Sequence, residues 1–189
     1  MKSIRHPKKD PVMRCCRNHD LWRLTLYAGI GGECLLSGGE RTLPFVVGGI
    51  LLVLVDQGTK LLAMERLQPG KSLALPGHLI YLTLVHNPGA AFGILAHATP
   101  LLVLLTCSVL TVVWFNRRKL SRQPLLFKLG ITLGLAGAVG NLIDRLRLGY
   151  VIDFIDMRFW PVFNVADMSI VAGVFLLFWL LMGWGKGCG

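Results

Sequence analysis

The sequence predicts an all-α integral membrane protein of four transmembrane helices, carrying a small extracytoplasmic β cradle. Three observations lead there. The 189 residues are 53% hydrophobic and only 16% charged, with a mean hydropathy of +0.59, too apolar for a water-soluble domain of this length. Four stretches approach the roughly 20 apolar residues that cross a bilayer: Leu43–Val55 extended to about Leu62, Pro100–Phe115, Leu125–Ile143 and Val165–Trp184. Finally, the basic residues are segregated. Lys2, Arg5, Lys8, Lys9, Arg14, Arg17 and Arg23 precede the first span, and Arg117, Arg118, Lys119, Arg122 and Lys128 cluster between the second and third.

Basic residues beside short connections stay on the cytoplasmic side. Both termini and the 116–124 loop are therefore expected inside, with the 67–98 and 145–163 connections outside. The net charge of +10 is explained by topology, and no nucleic-acid partner is implied. The chain divides into an extension over 1–42, a membrane domain over 43–184 and a cytoplasmic tail over 185–189. The extension is basic and then glycine-rich ("AGIGGECLLSGGE"). It lacks the sustained apolar core of a signal peptide and is expected to be poorly ordered.

The first span ends in "GGILLVLVDQGTK", where Asp56 and Lys60 stand at i and i+4 on one helical face. A pair that merely snorkels to the interface competes here with a role in a site. Residues 67–98 are punctuated by Pro69, Gly70, Pro76 and Gly77. "HLIYLTLVHN" then reads as a strand apolar on both faces, running into the small-residue turn "NPGAAFG". The second span, "LLVLLTCSVLTVVWF", is uncharged and structural. In the third, Gly130 and Gly134 form a GxxxG pair that Gly137 and Gly140 extend, the signature of close helix packing. Asn141, Asp144 and Arg145 follow at its outer end. The fourth span opens with Asn164 and Asp167.

A topology set by lysines and arginines alone thus puts Asp56, Asn87, Asn141, Asp144, Asp153, Asp156, Asn164 and Asp167 at one level, the outer membrane boundary. Of the six acids after residue 42, only Glu65 is left out, and it lies close by. A carboxylate at a span's centre costs about 2.5–3.5 kcal/mol on insertion scales. Snorkelling groups would scatter over both faces, so convergence on one favours a site. The five cysteines contain no CxxC and the histidines no HExxH. The reactive groups are therefore carboxylates, and no metal or cofactor is implied. Two carboxylates in hydrogen-bond range share one proton. The ionised one takes a proton from water, while the protonated one polarises the carbonyl before the leaving amine is protonated, which is aspartic peptidase chemistry. Asp144 precedes Arg145, which can neutralise it. Asp156 can simply solvate a loop. Asp153 and Asp167 flank the short connection before the last span, a preference that spacing alone does not turn into a deduction.

"DQGTK", "NPGAAFG", "GNLIDRLRLGYVIDF" and "FNVAD", in this order on four spans, resemble the lipoprotein signal peptidase (signal peptidase II) family over roughly residues 43–184. The resemblance implies a dyad of Asp153 and Asp167. It also implies supporting or substrate-binding roles for Asp56, Lys60, Asn87, Gly89, Ala90, Asn141, Asp144, Arg145 and Asn164. The implied reaction is cleavage of prolipoproteins just before a diacylglyceryl-modified cysteine. The implied setting is the bacterial inner membrane, with the site at its extracytoplasmic face. The partners expected are lipid-modified prolipoproteins and membrane lipid, met by a monomer. The alternative is a proton- or ion-coupled transporter subunit, which would need polar residues through the full membrane thickness. A structural subunit whose acids pair with Lys60 and Arg145 is a further rival. It leaves Asp153 and Asp167 without cationic partners unless Arg147 or Arg158 serves.

Overall fold

A backbone in hydrocarbon must satisfy its own hydrogen bonds, so spans form continuous helices. The computed structural model describes residues 42–89 and 98–184 and shows four of them: α1 (Leu43–Arg66), α2 (Thr99–Leu120), α3 (Leu125–Leu148) and α4 (Val165–Trp184). The expectations for the extension over 1–41, for Ala90 and Ala91 and for the tail over 185–189 lie outside the described residues. Three helices run further than the apolar stretches alone suggest. α1 continues to Arg66 because Lys60 and Ala63 remain on a buried face. α2 absorbs Arg117, Arg118 and Lys119 in its last turn, where cations suit the negative end of the helix dipole. α3 continues to Leu148 and stops at Gly149, whose φ of 84° is the left-handed cap. Leucines, valines and phenylalanines such as Leu54, Leu104, Phe175 and Phe178 remain exposed on the helices, as lipid-facing surface requires.

Between the helices lies a three-stranded antiparallel sheet in the order β1 (Ser72–Ala74), β2 (Tyr81–Asn87), β3 (Val151–Asp156). The predicted strand begins at Tyr81, later than His78. Pro76 and Gly77 (φ 92°) turn the chain, and His78 N donates to Leu75 O at 3.0 Å, the pattern that proline followed by glycine favours. β3 lies within the 145–163 segment that the sequence suggests is only a connection. It pairs Asp153 with Val85 and Asn87 with Val151, with a register shift between Leu82 and Val85. Its Val151, Ile152, Asp153 and Phe154 are all buried, so a strand of apolar residues broken by two acids, Asp153 and Asp156, covers the bundle end. The chain then returns alongside it. Phe163 N donates to Ile155 O at 3.0 Å, and Phe163 O accepts from Ile155 N at 2.8 Å. That return delivers Asn164 and the start of α4 beside β3.

The glycines of α3 set the helix spacing. A Cβ on Gly130 would approach Leu177 and the Gly173 carbonyl, and one on Gly137 would collide with the Ala166 carbonyl. From α4, Gly173 meets Gly130 O and Gly134 N in the same way. Gly140 serves another neighbour: a Cβ there would come within 2.6 Å of Asp56 Oδ2.

Candidate active site

Positions i, i+3 and i+4 share a helix face. The stripe that carries Gly130, Gly134 and Gly137 therefore also carries Asn141 and Asp144, turned into the bundle. From α1 the same rule brings Asp56 and Lys60 inward. Lys60 is 2% exposed and Asp56 1%, so this pair does not snorkel. Lys60 Nζ donates to Asp56 Oδ2 at 2.8 Å, Asp144 Oδ2 at 2.8 Å and Asn141 Oδ1 at 3.0 Å, which uses all three ammonium protons. The expected Asp144–Arg145 pair is not the one formed. Successive helical residues point apart, and Lys60 is the counter-ion of Asp144. Gln57, passed over in the sequence although it follows Asp56 directly, donates to Asp144 Oδ1 at 2.9 Å and Gly140 O at 3.2 Å. Asp144 Oδ2 also accepts from Ile152 N at 3.3 Å, tying α3 to β3.

α4 begins in a reciprocal cap. Asn164 Oδ1 accepts from Asp167 N at 2.9 Å, and Asp167 Oδ2 accepts from Asn164 N at 3.3 Å. This is a capping box, legible in the spacing of "NVAD". Asp56 Oδ1 accepts from Ala166 N at 2.9 Å, placing a carboxylate at the positive end of α4. The buried cation–carboxylate cluster thus holds the helix start that presents Asp167.

Asp153 and Asp167 are each gripped by asparagines. Asp153 accepts from Asn87 Nδ2 at 2.8 Å and Asn164 Nδ2 at 2.7 Å. Asp167 Oδ1 accepts from Asn141 Nδ2 at 2.7 Å. Asn164, fully buried, therefore touches both: its side-chain amide holds Asp153 and its carbonyl oxygen caps the helix at Asp167. Arg145 reaches the rim, donating to Gly89 O at 3.2 Å, while Gly89 N donates to Asn87 Oδ1 at 3.0 Å. Among the described residues neither Asp153 nor Asp167 forms an ion pair, and no buried side-chain polar atom lacks a partner. Burial pushes Asp153 up to about 7. The hydrogen bond from Asn87 opposes that rise and the negative charge of Asp167 adds to it.

Both aspartates open onto one groove of about 530 Å³, walled by β2, the Pro88–Gly89 turn, Arg145 and the apolar Val151, Trp160, Phe163 and Ile170. Asp156 does not join them. Rather than solvating a loop it is buried, and accepts from Thr83 Oγ1 at 2.9 Å and Arg158 N at 2.8 Å. Arg158, 3.7 Å from Asp156, lies over the Tyr81 ring. Arg158 is therefore not the cationic partner of Asp153 or Asp167.

Residues 49–183 match the family described as signal peptidase (SPase) II. The lipoprotein signal peptidase of Moorella thermoacetica is 47% identical over 140 residues, 74% of this chain and 93% of its own length. That of Pelotomaculum thermopropionicum is 45% identical over 73% of this chain and 90% of its own. A bacterial membrane enzyme solved by the in meso method at 2.3 Å superposes with a TM-score of 0.74 and 30% identity, covering 79% of this chain and 93% of that one. By sequence along most of its length and by fold, this chain belongs to the signal peptidase II family.

Proposed function

We propose that the chain removes signal peptides from prolipoproteins with Asp153 and Asp167 as its catalytic pair. The two carboxylates share one groove, and among the described residues neither forms an ion pair. That observation carries the assignment, because among the described residues the remaining buried acids, Asp56, Asp144 and Asp156, are held by Lys60 or Arg158. Two interacting carboxylates share a single proton as a pair; we assign it at rest to Asp153, which burial raises to about 7. Asp167 takes a proton from water as the oxygen attacks the scissile carbonyl carbon. Asp153 protonates the carbonyl oxygen. When the C–N bond breaks, Asp167 passes its proton to the leaving amine and Asp153 recovers one from the gem-diol. Asn87, Asn141 and Asn164 orient the pair without adding charge.

The protein is a multi-pass protein of the bacterial inner membrane. Its basic connection between α2 and α3 supports cytoplasmic termini, with the carboxylate end of the bundle at the extracytoplasmic face. The assigned substrate carries a diacylglyceryl-cysteine, whose lipid would hold the scissile bond at the depth of the aspartates. The membrane domain over 43–184 is taken as sufficient, acting as a monomer. The transporter reading lacks support: among the described residues the buried charged side chains gather at the carboxylate end, leaving no polar path across the bundle.

Cleavage of a lipid-modified prolipoprotein by the purified full chain in detergent tests the assignment. Asp153→Asn and Asp167→Asn should each abolish turnover while leaving insertion and folding intact. Substantial turnover by either variant would remove the dyad.

A further inference from the structure

At the opposite end of the bundle, α1, α2 and α3 enclose a second cleft of about 500 Å³, within the roughly 300–1,000 Å³ range of ligand pockets. Its walls are aliphatic and aromatic, with Phe45, Ile50, Val113 and Leu135 among them. Its charged lining residues are Arg117, near the end of α2, and Lys128, in the first turns of α3. Among the described residues neither has a carboxylate partner. Lys128 faces the Phe45 ring at 5.8 Å and Arg117 the Trp114 ring at 4.5 Å, so both head groups are held at rings rather than neutralised.

We infer that this cleft binds one anionic phospholipid of the membrane leaflet on that side, with an acyl chain between α1, α2 and α3 and its phosphate at Arg117 and Lys128. The distribution of polarity selects the occupant. The cleft is apolar through its depth and cationic at the helix ends, where head groups lie. A basic pocket between membrane helices suits an anionic head group. An uncharged helix from another protein would leave both cations unpaired. Topology by itself needs only positive charge near the connection, which Arg118, Lys119 and Arg122 already supply. It does not require Arg117 and Lys128 to line a cleft.

The test is native mass spectrometry of the full chain in detergent with phosphatidylglycerol or phosphatidylcholine of identical acyl chains, and separately with glycerol 3-phosphate. Two basic side chains at about 1 kcal/mol each give a roughly 30-fold preference for phosphatidylglycerol. Arg117→Gln combined with Lys128→Gln should abolish that preference. Gly49→Leu, which fills the cleft with both charges intact, should lower retention of phosphatidylglycerol. A Cβ at Gly49 meets only Thr132 Cγ2, at 3.4 Å, so this variant should fold. Equal retention of the two lipids, a preference surviving in the double glutamine variant, or full competition by glycerol 3-phosphate would each overturn the site.

Discussion

At the scale of single residues, Asp153 and Asp167 are held at one groove by asparagine donors rather than by ion pairs. Asn87 donates to Asp153 and so favours its charged form. Asn87→Ala removes that donor, and the pKa of Asp153 must rise further above about 7. The protonated acid then persists to higher pH, so the descending limb of the kcat/KM–pH profile should move upward. The maximum should also fall, because Asn87 holds Gly89 as well. A limb that stays in place would detach Asp153 from the general-acid role. Asp156 makes a contrasting case. Buried and bonded to Thr83, it is structural, so Asp156→Asn should keep most turnover and lower the melting temperature in detergent. A folded but inactive Asp156→Asn protein would mean that the catalytic carboxylate is misassigned.

At the scale of elements, the placement of Asp167 depends on how closely α3 and α4 approach. Gly137 lies directly against the Ala166 carbonyl, one residue before Asp167. Gly137→Ala must push the first turn of α4 away, at a cost typical of overpacking, about 1–3 kcal/mol. It should lower both melting temperature and kcat, whereas Gly134→Ala, whose Cβ would meet nothing within 4 Å, should leave both near wild type. Equal behaviour of the two variants would show that glycine spacing does not position the dyad. The Asp56–Lys60–Asp144 cluster acts on the same helix start through Ala166 N. Its charges are buried, so removing one partner leaves another uncompensated.

At the scale of the whole molecule, apolar helices, sheet and groove set a depth. Under the proposed topology the aspartates lie at the outer boundary, and a substrate anchored by two acyl chains arrives at that level already. A prolipoprotein with an unmodified cysteine should therefore be cleaved far more slowly at equal surface concentration. Acyl burial is worth about 0.8 kcal/mol per CH₂, so loss of both chains removes a large binding contribution. Equal rates for the two substrates would end the depth argument while leaving the aspartic chemistry standing.

The hydropathy of the spans, the basic clusters and the positions of Asp56, Asn141, Asp144, Asn164 and Asp167 were enough to read four helices and a polar boundary from sequence alone. These features depend on local composition and on helical periodicity, which a linear chain displays. Partner choice was not legible. "VIDFID" holds both faces of β3 buried because β2, α3 and the returning Phe163 cover it, and no window of sequence contains those three. Asp144 has Arg145 beside it in sequence yet pairs with Lys60, 84 residues away. Asp156 stands three residues from Asp153, but the register with Tyr81 takes it to the far end of the strand. Charges find partners through space in a low-dielectric interior, where the nearest counter-ion is set by which helix faces meet. The tertiary structure alone decided which acids are paired with Lys60 or Arg158 and which, Asp153 and Asp167, are held by asparagines instead.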